Sequence, residues 1–112
     1  MKSAKHFFFE HAVKSKLTGE QCRVLLCMLT AEYDGDIGIK QRDIAEMLGI
    51  AEQNVSRSIK ALIETELLSK KVTEGFDGRP VWKINPMFEK QALDRVDAMY
   101  EKTHGKPFEQ TW

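Results

Sequence analysis

Between Glu52 and Glu64 the chain carries Gln53, Asn54, Ser56, Arg57 and Lys60, with no acidic residue from 53 to 63. Val55, Ile59, Leu62 and Ile63 recur at the spacing of one buried helical stripe. Taking Val55 as its centre, a turn of about 100° per residue sends Gln53, Arg57, Lys60 and Glu64 outward, with Asn54 and Ser56 on the shoulders. These side chains suit one kind of chemistry. Gln and Asn pair bidentately with adenine, Arg with guanine, and Ser with a base or a phosphate. The positive end of the helix dipole favours a phosphate as well. A merely solvated face can use the same residue types, but it is more often rich in Glu and Lys.

Other chemistries find less support. His6, His11 and His104 lack the i, i+4 spacing of a helical metal pair and are expected to be solvent-exposed. There is no GxxxxGK[ST] loop, no GxSxG elbow and no paired-carboxylate motif, so we expect no enzyme, no metal and no cofactor. Cys22 and Cys27, five apart in an apolar segment, form no CxxC pattern and are expected to be buried free thiols of a reducing compartment.

The 112 residues amount to a single domain spanning 1–112, with 42% hydrophobic and 30% charged residues. A chain of this size can bury roughly two-thirds of its unfolded surface in one core. The composition excludes a disordered chain, and no apolar run approaches the roughly 18 residues of a membrane span. Phe7 to Phe9 is too short for a signal-peptide core, so a cytoplasmic protein is expected. The 17 cations and 17 anions cancel, which argues against nucleic acid until their placement is considered. Residues 1–16 hold four lysines against Glu10, whereas 17–39 hold Arg23 against Glu20, Glu32, Asp34 and Asp36.

The elements that must position the polar stripe follow from the punctuation of the chain. Ser3 to Ser15 has the spacing of a short helix whose three phenylalanines cannot all face one core. Thr18 and Gln21 form a capping box opening an apolar helix through Val24, Leu25, Met28, Leu29 and Tyr33, ended by the Asp34 to Gly38 cluster. Ile37 to Ile39 is a short extended piece. Gln41 to Leu48 is a two-turn helix stopped by Gly49, and Glu52 to about Glu66 is a longer one. Ser69 to Thr73 and Val81 to Ile84 flank a Gly-containing loop, the pattern of an antiparallel hairpin with Pro80 at its edge or start. Asn85-Pro86 leads into a last helix with Met87, Phe88, Ala92, Leu93, Val96, Met99 and Tyr100, and the tail keeps Phe108 and Trp112.

The stretch QRDIAEMLGIAEQNVSRSIK, Gln41 to Lys60, resembles the helix-turn-helix of bacterial DNA-binding regulators along its whole length. Two helices crossing through a tight turn need a small residue at the contact, here Ala45, and one tolerant of positive φ in the turn, here Gly49. Val55, with Ile44, Leu48, Ile50, Ile59 and Leu62, completes a small core. The order of elements is that of a winged helix-turn-helix, mainly α with a small β-hairpin. The helix-turn-helix covers about 41–66 and the wing about 69–84, with flanking helices at both ends.

On this pattern the wing brings Lys70, Lys71, Arg79 and Lys83, and its turn uses Asp77-Gly78. Lys40, Gln53, Asn54, Ser56, Arg57, Lys60, Lys70, Lys71 and Arg79 are the candidate DNA-binding residues. Among them Lys40, Arg57, Lys60, Lys70, Lys71 and Arg79 would form a basic face on a neutral molecule. Ile39 through Pro86, closing on Ile84-Asn85-Pro86, is similar to plasmid replication-type proteins of the RepL kind and their phage relatives, and MarR-like regulators share the architecture. The resemblance implies a sequence-specific double-stranded DNA-binding protein, expected to be a plasmid- or phage-borne transcriptional regulator associated with the nucleoid or plasmid. Helix-turn-helix proteins pair across two half-sites, so a homodimer through the terminal helices is expected, with Phe7 to Phe9 and the stripe Leu93, Val96 and Tyr100 as candidates. Two alternatives remain: a replication or partition factor on iterated repeats, contacting replication or transcription proteins, and a winged-helix protein-interaction module.

Overall fold

The computed structural model describes residues 3–75 and 78–93. The expectations for Asp77, Val96, Met99, Tyr100, His104, Phe108 and Trp112 lie outside the described residues, as does that for the Lys71 side chain. The elements run α1 (Ala4–Lys14), α2 (Gly19–Leu29), β1 (Glu32–Tyr33), β2 (Asp36–Gly38), α3 (Gln41–Leu48), α4 (Glu52–Glu64), β3 (Leu68–Glu74) and β4 (Pro80–Ile84). The helical residues 87–93, α5, follow.

Local chemistry sets most of these boundaries. Ser3 caps α1 by accepting the His6 N–H. Thr18 and Gln21 form the complete reciprocal capping box at the start of α2. Helix α3 ends at Gly49, in the left-handed region at φ 68°. Helix α4 closes with a Schellman motif, in which the Leu67 N–H donates to the Leu62 carbonyl and the Glu66 N–H to that of Ile63. The left-handed position of that motif is occupied by Glu66, at φ 66°.

Helices α2, α3 and α4 pack mutually. Val24, Met28, Ile44, Val55 and Leu62 are fully buried where they meet, and Ala45 is buried at the helix-turn-helix contact. Leu48 and Ile50 pack against this core while partly exposed. Helix α1 joins through Phe8, whose ring meets that of Phe88 edge-on at 5.5 Å, both being fully buried. Phe7 is partly buried and Phe9 is 43% exposed, so one of the three phenylalanines takes the core position. Removing a ring of this kind costs about 3–5 kcal/mol.

The β content exceeds a lone hairpin. Four antiparallel strands lie in the order β1-β2-β4-β3, with Ile37 opposite Trp82 and Val72 opposite Trp82 on the other side. Because β4 is central, Trp82 and Ile84 are buried and Lys83 points out. Tyr33, read above as a helical core position, instead lies in β1 and is 84% exposed. Helix α2 stops at Leu29, and Asp34-Gly35 turns the chain into β2, with the Gly35 N–H held by the Glu32 carboxylate at 2.7 Å. Pro80 begins β4, where its missing N–H matters least.

Two further expectations are corrected. Cys27 is buried as expected, but Cys22 is exposed. Five residues of helix separate their directions by about 140°, so one inward thiol forces the other outward. Burial pushes the Cys27 thiol above its ordinary range, and its Sγ donates to the Met47 Sδ at 3.3 Å, bridging α2 to α3. His11 is half-buried rather than exposed, because the end of α4 lies against it.

Alkylation of the native protein with iodoacetamide should therefore modify Cys22 quickly and Cys27 only on unfolding; equal rates in the native state would contradict this packing. The left-handed positions that end α3 and α4, Gly49 and Glu66, should respond oppositely in urea unfolding. Gly49→Ala should cost about 1–2 kcal/mol, and the cost is conformational, since no atom lies within 4 Å of the added Cβ. Glu66→Gly should add up to about 1 kcal/mol.

Candidate nucleic-acid interface

Helix α4 divides its residues between two environments. Val55, Ile59 and Leu62 are buried along one side, and Ser58 beside them is the buried polar residue among those described. Gln53, Ser56, Arg57 and Lys60 are exposed on the other side, and Asn54 is half-buried at its edge. The side-chain directions inferred from Val55 thus match the folded helix for all five candidates.

Their availability differs from that of other cations. Lys14 is engaged by Glu10 at 3.3 Å and Lys83 by Asp36 at 2.9 Å. Asp36 lies directly opposite Lys83 in the β2/β4 register. Lys83, counted above among the wing cations, is therefore neutralised within the sheet. Among the described residues, no ion pair engages Lys40, Arg57, Lys60 or Lys70.

The wing is irregular where its lysines sit. The β3/β4 register shifts between Leu68 and Val72, so Ser69, Lys70 and Lys71 lie where the ladder is irregular. An irregularity of this kind breaks strand alternation and twists the ribbon locally. Lys70 is exposed there. Beyond it the Gly75 N–H donates to the Arg79 carbonyl at 2.7 Å, and Arg79 is exposed.

Three elements converge on a shallow depression lined by Lys40, Gln41, Arg42, Glu52 and Pro80. It joins the start of α3, the start of α4 and the second wing strand. Neither helix start carries a side-chain cap, since the preceding residues are Lys40 and Ala51. Their first-turn N–H groups are thus free of side-chain acceptors at the capping position. Arg42, exposed in this depression, was missed by the sequence reading. Its position in the first turn of α3, two residues beyond Lys40, is the signal that could have found it. Glu52 brings a carboxylate to the α4 end, so that end is less favourable to phosphate than the helix dipole alone suggests.

The helix-turn-helix is held from outside as well. The Arg23 guanidinium on α2 donates to the Leu48 carbonyl at 3.4 Å, meeting the last turn of α3 next to Gly49. Among the described residues there is no group of three or more His, Cys, Asp or Glu placed to hold a metal ion. No helix among them is long and apolar enough to cross a membrane.

A comparison with curated proteins gave no match for this chain. A family model, described as the MarR family, matches residues 15–80, which run from the residue after α1 to the first residue of β4 and make up more than half of the chain. That span contains the three-helix core, with the exposed polar face of α4, and the first wing strand. With the winged helix-turn-helix geometry described above, the chain belongs to the MarR family, whose members are DNA-binding transcription regulators.

Proposed function

We propose that the protein is a plasmid- or phage-borne transcriptional regulator that binds a specific duplex as a homodimer, with α4 in the major groove. The carrying observation is the outward face of α4, which has no acidic residue from 53 to 63 and exposes Gln53, Ser56, Arg57 and Lys60 while the opposite side is buried. Arg57 reads guanine, Gln53 and Asn54 read adenine, and Ser56 and Lys60 complete the contact with bases or phosphates. Lys40 and the wing residues Lys70, Lys71 and Arg79 hold the phosphate backbone and fix the register without carrying sequence information. Arg42, beside Lys40, joins the phosphate contacts.

Pairing through the terminal helices is supported by the exposure of Phe9 and Val13 on α1. A two-fold dimer places two α4 helices on half-sites about 34 Å apart. The protein-interaction alternative needs an apolar or acidic outward face, which α4 lacks. The replication-type alternative drew on Ile84-Asn85-Pro86. The bonds of Asn85 give that motif a role within the fold, so it no longer favours replication over regulation.

Selection of duplexes from a random-sequence pool tests this reading directly. A palindromic site supports a dimeric regulator, tandem repeats support the replication alternative, and no affinity for any duplex at low salt rejects both. On the selected duplex, Arg57→Ala should cost about 1–3 kcal/mol and relax the preference at one base pair. The Lys70→Ala, Lys71→Ala double variant should weaken binding to all sequences alike, and each lost phosphate contact should reduce the salt slope by about one.

A further inference from the structure

The C-terminal end of α4 is closed by residues from outside the helix-turn-helix. Its Schellman motif satisfies the Leu62 and Ile63 carbonyls. The carbonyls from Thr65 to Leu67 take their donors from outside the helix. The Thr65 carbonyl accepts from the His11 Nε2 of α1 at 2.6 Å. A carbonyl can only accept, so Nε2 carries the proton in this contact. The Glu66 carbonyl accepts from the Asn85 Nδ2 at 2.9 Å, and the Leu67 carbonyl from the Asn85 backbone N–H at 3.1 Å.

Both donors are themselves fixed. The His11 ring packs at 5.5 Å against the edge of Phe88, which also meets Phe8. The Asn85 Oδ1 accepts the Met87 N–H at 3.0 Å, tying the same residue to the start of α5. Three consecutive carbonyls, from Thr65 to Leu67, are thereby held by one donor from α1 and two from the start of α5. The opposite end of α4 carries no side-chain cap, and Glu52 and Gln53 are exposed there.

We infer that His11 and Asn85 are positioning residues for the reading helix, fixing the axial and rotational setting of α4 against the pair formed by α1 and α5. This inference rests on the reading of α4 as the DNA-contacting element. Base readout needs side chains held within about 0.5 Å, and a helix tethered at only one end by such bonds transmits any displacement of α1 or α5 to its reading face. The two residues thus form the mechanical link between the terminal helices and the DNA face.

The test uses the full chain, a duplex selected by the wild-type protein and a scrambled duplex of equal length. His11→Phe keeps an aromatic ring against Phe88 but removes the donor. His11→Gln restores an amide N–H near the position of Nε2. Asn85→Asp keeps the acceptor for Met87 and removes the donor to Glu66. His11→Phe and Asn85→Asp should each lower the preference for the selected duplex by about tenfold, comparable to the loss of one base contact, with scrambled binding within about twofold. His11→Gln should stay within about threefold of wild type. Amide hydrogen exchange at Glu66 and Leu67 should quicken in His11→Phe and not in His11→Gln.

An unchanged preference in His11→Phe would overturn the proposal, as would a loss in His11→Gln equal to that in His11→Phe. If the wild-type protein shows no preference for any duplex, the DNA-reading assignment falls. Exchange then decides the tether by itself: acceleration rescued by Gln upholds it, and unchanged exchange removes it.

Discussion

The burial of Val55, Ile59 and Leu62 against α2 and α3 is the constraint on which the rest of the molecule depends. It fixes the rotation of α4 about its own axis, so every other side chain on the helix is assigned a direction. A quarter-turn error would bury Arg57 or expose Val55, and both cost far more than any surface contact could return. The exposed polar face of α4 is thus a by-product of the core. Arg23 and the Cys27–Met47 contact add to the same effect from α2, holding α3 and its turn where α4 must cross.

The neutral total charge gains meaning only when pairing is considered with placement. Among the described residues, Lys14 and Lys83 are matched to carboxylates in contact with them, whereas Lys40, Arg57, Lys60 and Lys70 are not. A balanced chain can therefore still expose cations that no carboxylate in contact neutralises. Acidic residues elsewhere, and Glu52 within the depression itself, limit long-range attraction.

Much of this was legible in the sequence because it depends on local rules. Periodicity placed α3 and α4, the Thr18/Gln21 pair placed the start of α2, and Gly49 marked the turn. The features that escaped depend on partners distant in sequence. Tyr33 sits where a helical pattern could continue, but it pairs with Asp36 across the Asp34-Gly35 turn, in a hairpin whose second strand is held by β4. His11 looked like a surface histidine because nothing local reveals that Thr65, 54 residues away, lies beside it. Lys83 looked like a wing cation until the register set Asp36 opposite. The ladder irregularity at Lys70 needs the partner strand to define it.

Helix α4 therefore has two ends of different character. At the N-terminal end the backbone groups lack a side-chain cap, cations from α3 lie in the same depression, and the amide side chain of Gln53 is exposed. At the C-terminal end the left-handed Glu66 is retained despite a conformational cost of about 1 kcal/mol, and the carbonyls from Thr65 to Leu67 are occupied. Polar groups left open at one end can be satisfied by a ligand or by water, whereas groups closed at the other end resist motion. A helix free at both ends would trade precision for adaptability, and one closed at both would have no backbone groups to offer. The asymmetry lets the same thirteen-residue element be part of the core and the contact surface at once.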